Sequence, residues 1–147
     1  MSRIPRFQEH LKTGFTAEAA SAARFRAYAD RARRDGLPNL ARRWLRLAAE
    51  KDALAVELLE AAEQGRATDA DLGDALSEER YENDILYPKM IRDVGQETAN
   101  VFLRVVTAQK EHLRQLEALR EEVNAAQGDV ALPPEVDKGT APSGVES

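Results

Sequence analysis

Five polar side chains occupy positions where a helical bundle would bury apolar ones: Glu18, Lys51, Glu82, Gln109 and His112. Two carboxylates, an amine, an amide and an imidazole at one level could hold a metal ion, move a proton or neutralise one another. Spacing alternately three and four residues apart defines the seams that carry them. The first seam reads Phe15, Glu18, Ala22, Phe25, Ala29, Ala32, and the second reads Leu40, Trp44, Leu47, Lys51, Leu54, Leu58. The last reads Phe102, Val105, Gln109, His112, Leu116, Leu119, and Glu82 lies one turn before Ile85 and Leu86 on a wider apolar face. Counted from the turns at Gly36 and Gly95, all five fall roughly 20–27 Å along their helices. Singly, each has an ordinary explanation: a first-turn acid, a hydrogen-bonded histidine, a lysine whose stem is buried and whose head reaches water. Their common level points to a shared polar site.

Four helical stretches must position these residues. The first spans about Thr13 to Arg34, with Thr13 or Thr16 as its cap and Asp35-Gly36 as its stop. The second starts at Pro38 and runs to about Gln64, where Gly65 ends it. A polar linker over Arg66 to Ala75 leads to a third helix capped by Ser77 and ending near Val94-Gly95, with Pro88 expected to kink it. The fourth spans about Gln96 to Ala126. The expected fold is all-α: an antiparallel four-helix bundle of two helical hairpins joined by a longer crossover. Residues 1–12 read as an N-terminal arm, 13–126 as the bundle, and 127–147 as a disordered tail rich in Pro, Gly, Ser and acid.

Composition narrows the chemistry further. The chain of 147 residues has no cysteine and two histidines, which excludes thiolate metal sites, disulfides and a cysteine nucleophile. Its formal charge is −5, so general attraction to nucleic acid is not expected. Mean hydropathy is −0.53 and no apolar run of membrane-spanning length occurs. The start, MSRIPRFQEHLKTGF, lacks the apolar stretch of a secretory signal, so a cytoplasmic protein is the expectation.

The stretch from Glu18 to Gly36 has the shape of a first helix that opens on a ligand glutamate and closes on basic residues, an acid and a glycine. Tyr81-Glu82-Asn83-Asp84-Ile85-Leu86-Tyr87-Pro88 ends in Tyr-Pro, and Gln109-Lys110-Glu111-His112 stands where a Glu-x-x-His would serve as ligands. Over about residues 13 to 123 the chain resembles the ferritin-like domain of the rubrerythrins. That resemblance implies two irons in a bundle core, used to reduce peroxides or oxidise ferrous iron. Glu18, Glu82 and His112 match ligand positions of the family. Lys51, Leu54, Ile85 and Gln109 stand at the other four, with Lys51 and Gln109 where bridging glutamates belong. Moving the second helix by one residue would bring Glu50 to the carboxylate position but Ala53 to that of the imidazole, and would turn Glu50 into the leucine seam. The resemblance therefore implies a degenerate member without a rubredoxin-like domain.

The expected function is non-catalytic: interaction, assembly or regulation, without a cofactor. The alternative is an oxidoreductase holding iron or another divalent metal on Glu18, Glu82 and His112 and fed by an external electron donor. In the first case Lys51 forms a buried ion pair with Glu18, Glu82 or both, and Gln109 and His112 complete the hydrogen bonds. The family implies a homodimer. Residues 24–46 contain eight arginines and two acids, whereas residues 50–84 contain twelve acids and three bases. Solvated faces explain this unevenness. The sharper reading makes Arg24-Arg46 a docking face for a protein partner, with the C-terminal tail as a second candidate.

Overall fold

A computed structural model describes residues 6–134. The disorder read for the tail and the first part of the N-terminal arm lie largely outside the described residues. The chain is all-helical, with no strand among the described residues. Its helices are α1 (Arg6–Arg34), α2 (Pro38–Ala62), α3 (Thr68–Tyr81), α4 (Tyr87–Arg92) and α5 (Gln96–Ala125). A single π-helical turn, Glu82–Leu86, joins α3 to α4. No described helix is long and apolar enough to cross a membrane. The chain divides into two compact units between Arg66 and Ala67.

In the first unit, α1 begins at Arg6, so residues 6–12 belong to the helix rather than to an arm. Thr16 is no cap: its hydroxyl donates back to the Lys12 carbonyl at 3.1 Å. That local bond lets a threonine sit inside a helix. The helix ends in a Schellman turn, with Leu37 N–H donating to Ala32 O at 2.8 Å and Gly36 N–H donating to Arg33 O at 3.1 Å. Gly36 takes φ +77° there, a conformation that costs a residue with a Cβ. Pro38 then opens α2, where its missing N–H costs nothing.

The contact between α1 and α2 is made of alanines. Ala22, Ala29 and Ala32 face Ala41, Ala48, Ala55 and Ala62, and all seven are buried. Small side chains let two helix backbones approach closely, and Gly14 continues this toward the open end. A Cβ on Gly14 would lie 3.2 Å from the Leu58 side chain. The leucines expected on the α2 seam are displaced by this contact. Leu40, Leu47 and Leu54 are 45%, 44% and 46% exposed, because the alanines one residue further along occupy the interface with α1. Trp44 packs against the buried alanine cluster at the turn end.

In the second unit, α3 starts at Thr68, so most of the stretch read as a linker is helical and Ser77 lies inside the helix. Asp69 and Asp71 in the first turn complement the exposed N–H groups there. Leu76, 1% exposed, is the one large side chain fully buried among the described residues. The irregularity expected at Pro88 takes the form of the π turn, with Tyr87 N–H donating to Glu82 O five residues back. Proline offers no N–H and crowds the carbonyl four residues before it. A wider turn relieves that crowding. Ala99 on α5 is buried, and Tyr87 packs its ring 5.8 Å from that of Phe102.

Candidate functional site

Lys51 and Glu18 meet within the first unit. Both sit on the alanine interface, Glu18 one turn before Ala22 and Lys51 between Ala48 and Ala55. Lys51 Nζ lies 2.7 Å from Glu18 Oε2. This is a charge contact set off the hydrogen-bonding directions, since Glu18 Oε2 is buried without a hydrogen bond of good geometry. The pair is not buried as expected: its side chains are 32% and 25% exposed. Alanines cover the lysine stem but are too short to cover its head. Above the pair, Phe25 and Tyr28 each set a ring 5.1 Å from Trp44, and the Arg31 guanidinium lies 5.4 Å over Tyr28. On the outer flank Arg26 binds Asp52 at 2.8 Å.

The second unit pairs Glu82 with Gln109. Gln109 Nε2 donates to Glu82 Oε1 at 2.7 Å, from the middle of α5 to the first residue of the π turn. His112 does not join them. Its side chain is 55% exposed, and Nδ1 lies 3.9 Å from Glu79 Oε2, too long for a hydrogen bond. The reason is rotational: on α5 the inward positions are Val105, Val106, Gln109, Leu113 and Leu116, and His112 sits at their edge. Ile85 is exposed as well.

Two residues of this unit escaped the sequence reading. Asn83 is 5% exposed and reaches only a long 3.5 Å contact to Val106 O. Glu79 turns a carboxylate oxygen inward. Glu79 Oε2, Asn83 Oδ1 and Gln109 Oε1 are all buried without a hydrogen-bond partner among protein atoms. The signal was the stripe Leu72, Leu76, Glu79, Asn83, Leu86, which emerges once α3 is started at Thr68 instead of Ser77.

These residues do not fit a di-iron centre. Such a centre needs about four carboxylates and two imidazoles. Here the groups standing against the two matching glutamates are an ammonium and an amide N–H, which offer a metal no lone pair. Among the described residues no group of three or more His, Cys, Asp or Glu side chains is placed to hold a metal ion. A separate apolar groove of 380 Å³ lies between the first turns of α3 and the last turns of α5, with Leu72, Leu119, Val123 and Val130 among its lining.

One fully exposed pair has a clear electrostatic signature. Arg114 hydrogen-bonds Glu111 through Nε at 3.0 Å and through a second guanidinium nitrogen. That contact, with a further bond from Gln115, holds the Glu111 carboxyl below its usual range, and raises Arg114 in turn.

No protein-family model matches the chain, and no curated protein matches it.

Proposed function

We propose that the chain is a rubrerythrin-like, ferritin-fold protein whose di-iron site has been replaced by internal ion-pair and amide contacts. It serves in interaction, assembly or regulation rather than in catalysis. In this reading each hairpin supplies two helices to an antiparallel four-helix bundle, and the protein works in the cytoplasm without a cofactor. The observation that carries it is the Lys51 ammonium 2.7 Å from Glu18, at a level where the resemblance calls for a bridging carboxylate. A fixed cation against that carboxylate offsets the charge that a metal would otherwise neutralise. Gln109 treats Glu82 in the same manner with a neutral donor. The arginines from Arg24 to Arg46 all lie exposed and are the proposed contact face for an acidic protein partner, with the C-terminal tail as a second.

A second reading places iron or another divalent metal on Glu18, Glu82 and His112, for peroxide reduction or ferrous iron oxidation with an external electron donor. Its support is confined to the neighbourhood of Glu82, where the buried oxygens of Glu79, Asn83 and Gln109 lack a hydrogen-bond partner among protein atoms, as a donor, a water or a cation normally supplies. Anaerobic loading with ferrous iron, followed by metal quantification, decides between the two. No retained iron is the expected result, and about one or two irons per chain overturns the metal-free reading. The fourfold variant Lys51→Glu, Leu54→His, Ile85→Glu, Gln109→Glu is expected to gain iron and an oxo-bridged absorption band in air.

A further inference from the structure

The groove between the start of α3 and the end of α5 is walled by Leu72 and Ala75 on one side and by Leu119 and Val123 on the other. Leu76, the next residue along α3, is fully buried, whereas Ala75 is too short to fill the space beside the α5 side chains. Beyond α5 the chain turns at Gly128, with φ +133°, and Val130 returns to the groove. Every lining residue belongs to the second unit, so the groove is complete within one hairpin. Its 380 Å³ lies within the roughly 300–1,000 Å³ of ordinary binding clefts. Two helices with an open apolar furrow between them form a seat for a third.

Charge decides what fits there. The charged residues lining the groove are Asp69 and Asp71, both exposed, and none of the lining is basic. Along α3, Asp74, Glu78 and Glu79 add to them against Arg80 alone, and residues 117–125 of α5 set Glu117, Glu121 and Glu122 against Arg120. Asp129 stands next to Val130. Like charges facing each other suppress wrong partners, and opposite ones favour the right one. The chain's own residues 135–147 hold three acids and one lysine, the wrong sign for this rim. We propose that the groove seats an amphipathic basic helix of a partner protein, with aliphatic side chains between α3 and α5 and a lysine or arginine beside Asp69. This rests on the reading of the chain as an interaction protein, and it adds a partner opposite in sign to the one proposed for Arg24–Arg46.

The test uses the full chain and a fluorescent synthetic helix with leucine at i, i+3 and i+4 and lysine on both flanks. Saturable binding by fluorescence anisotropy is the expected result. A helix with the same leucines and glutamate flanks is expected to bind at least about tenfold more weakly, and so is one of the same composition with its leucines scattered. Ala75→Trp fills the groove without removing a packed side chain and is expected to weaken the basic helix by about tenfold or more. Val123→Trp fills it from α5 and serves where Ala75→Trp fails to fold, as read by circular dichroism. Asp69→Lys is expected to weaken the basic helix and to strengthen the glutamate-flanked one, a reversal that a merely destabilised fold would not give.

Equal binding of the lysine-flanked and glutamate-flanked helices overturns the proposal, as does full binding by folded Ala75→Trp and Val123→Trp. Binding of dodecylammonium at this groove without the peptide makes it a site for a small cationic amphiphile and overturns the partner helix. Tighter peptide binding by the full-length Val136→Asp variant means that the chain's own end competes for the groove, and overturns it too. Iron loading reads the functional proposal separately. Iron uptake by a chain that still binds the basic helix removes that proposal alone, and a metal-free chain that ignores the helix removes this one alone.

Discussion

The two hairpins of this chain pack by opposite means. The first closes on seven alanines, and its large side chains are left on the flanks. The second closes around Leu76, a buried asparagine and a π turn, with shorter helices on one side. Close backbone approach leaves the first little room and binds its polar residues by charge. The looser contour of the second leaves room for amides and for oxygens that lack donors. At its polar seam residues the first therefore uses an ion pair and the second a neutral donor.

Volume changes separate the two modes most strongly. Leu76→Ala is expected to destabilise the second unit by about 2–5 kcal/mol, the cost of a cavity beneath the one fully buried leucine. Native-state hydrogen exchange would then show lost protection confined to α3 and α5. Ala48→Leu is expected to act in the other direction, forcing α1 and α2 apart at about 1–3 kcal/mol, with exchange rising in those helices. If Ala48→Leu leaves them protected, the alanine contact is not the tight seam described.

Removing the polar contacts has smaller effects. Lys51→Ala is expected to lower stability by about 1–2 kcal/mol, between an exposed ion pair and a buried one, and Lys51→Met by less because the stem packing survives. Thermal melts compare the two directly. The smallest effect lies outside both packing modes. Arg114→Ala is expected to return the Glu111 carboxyl upward toward the ordinary range, read by NMR titration. Because the folded value is depressed, the contribution of this contact is present above the unfolded value and fades as pH falls through the folded one.

The helix ends at Asp35-Gly36, the start at Pro38 and the extent of α5 were all legible, because glycine and proline act through backbone geometry that no tertiary contact overrides. Glu18 and Lys51 were placed on facing seams by spacing alone, and they meet. Three features were not legible. The leucines of α2 outrank its alanines in hydrophobicity, so a reading by hydrophobicity puts Leu47 inside and Ala48 aside. The first turns of α3, Thr-Asp-Ala-Asp-Leu-Gly-Asp, resemble a linker in composition, and only the spacing of Leu72 and Leu76 marks them as helix. His112 was read inward because it shares heptad spacing with Gln109, yet it stands three residues further on, at the edge of the buried arc.

The π turn at Glu82–Leu86 has a consequence for how this chain tolerates changes in length. A π turn is an α-helix carrying one extra residue, so it shifts the phase of everything after it by about 100°. Deleting a single residue such as Asp84 would turn the bond from Tyr87 N–H to Glu82 O into an ordinary α-helical one and leave Tyr87, Met90 and Ile91 on the side they now face. An insertion of one residue upstream would be absorbed far less easily, since the slack is already taken up. Counting at an unbroken 3.6 residues per turn across Glu82–Leu86 therefore misassigns the face of every position from Tyr87 to Arg92.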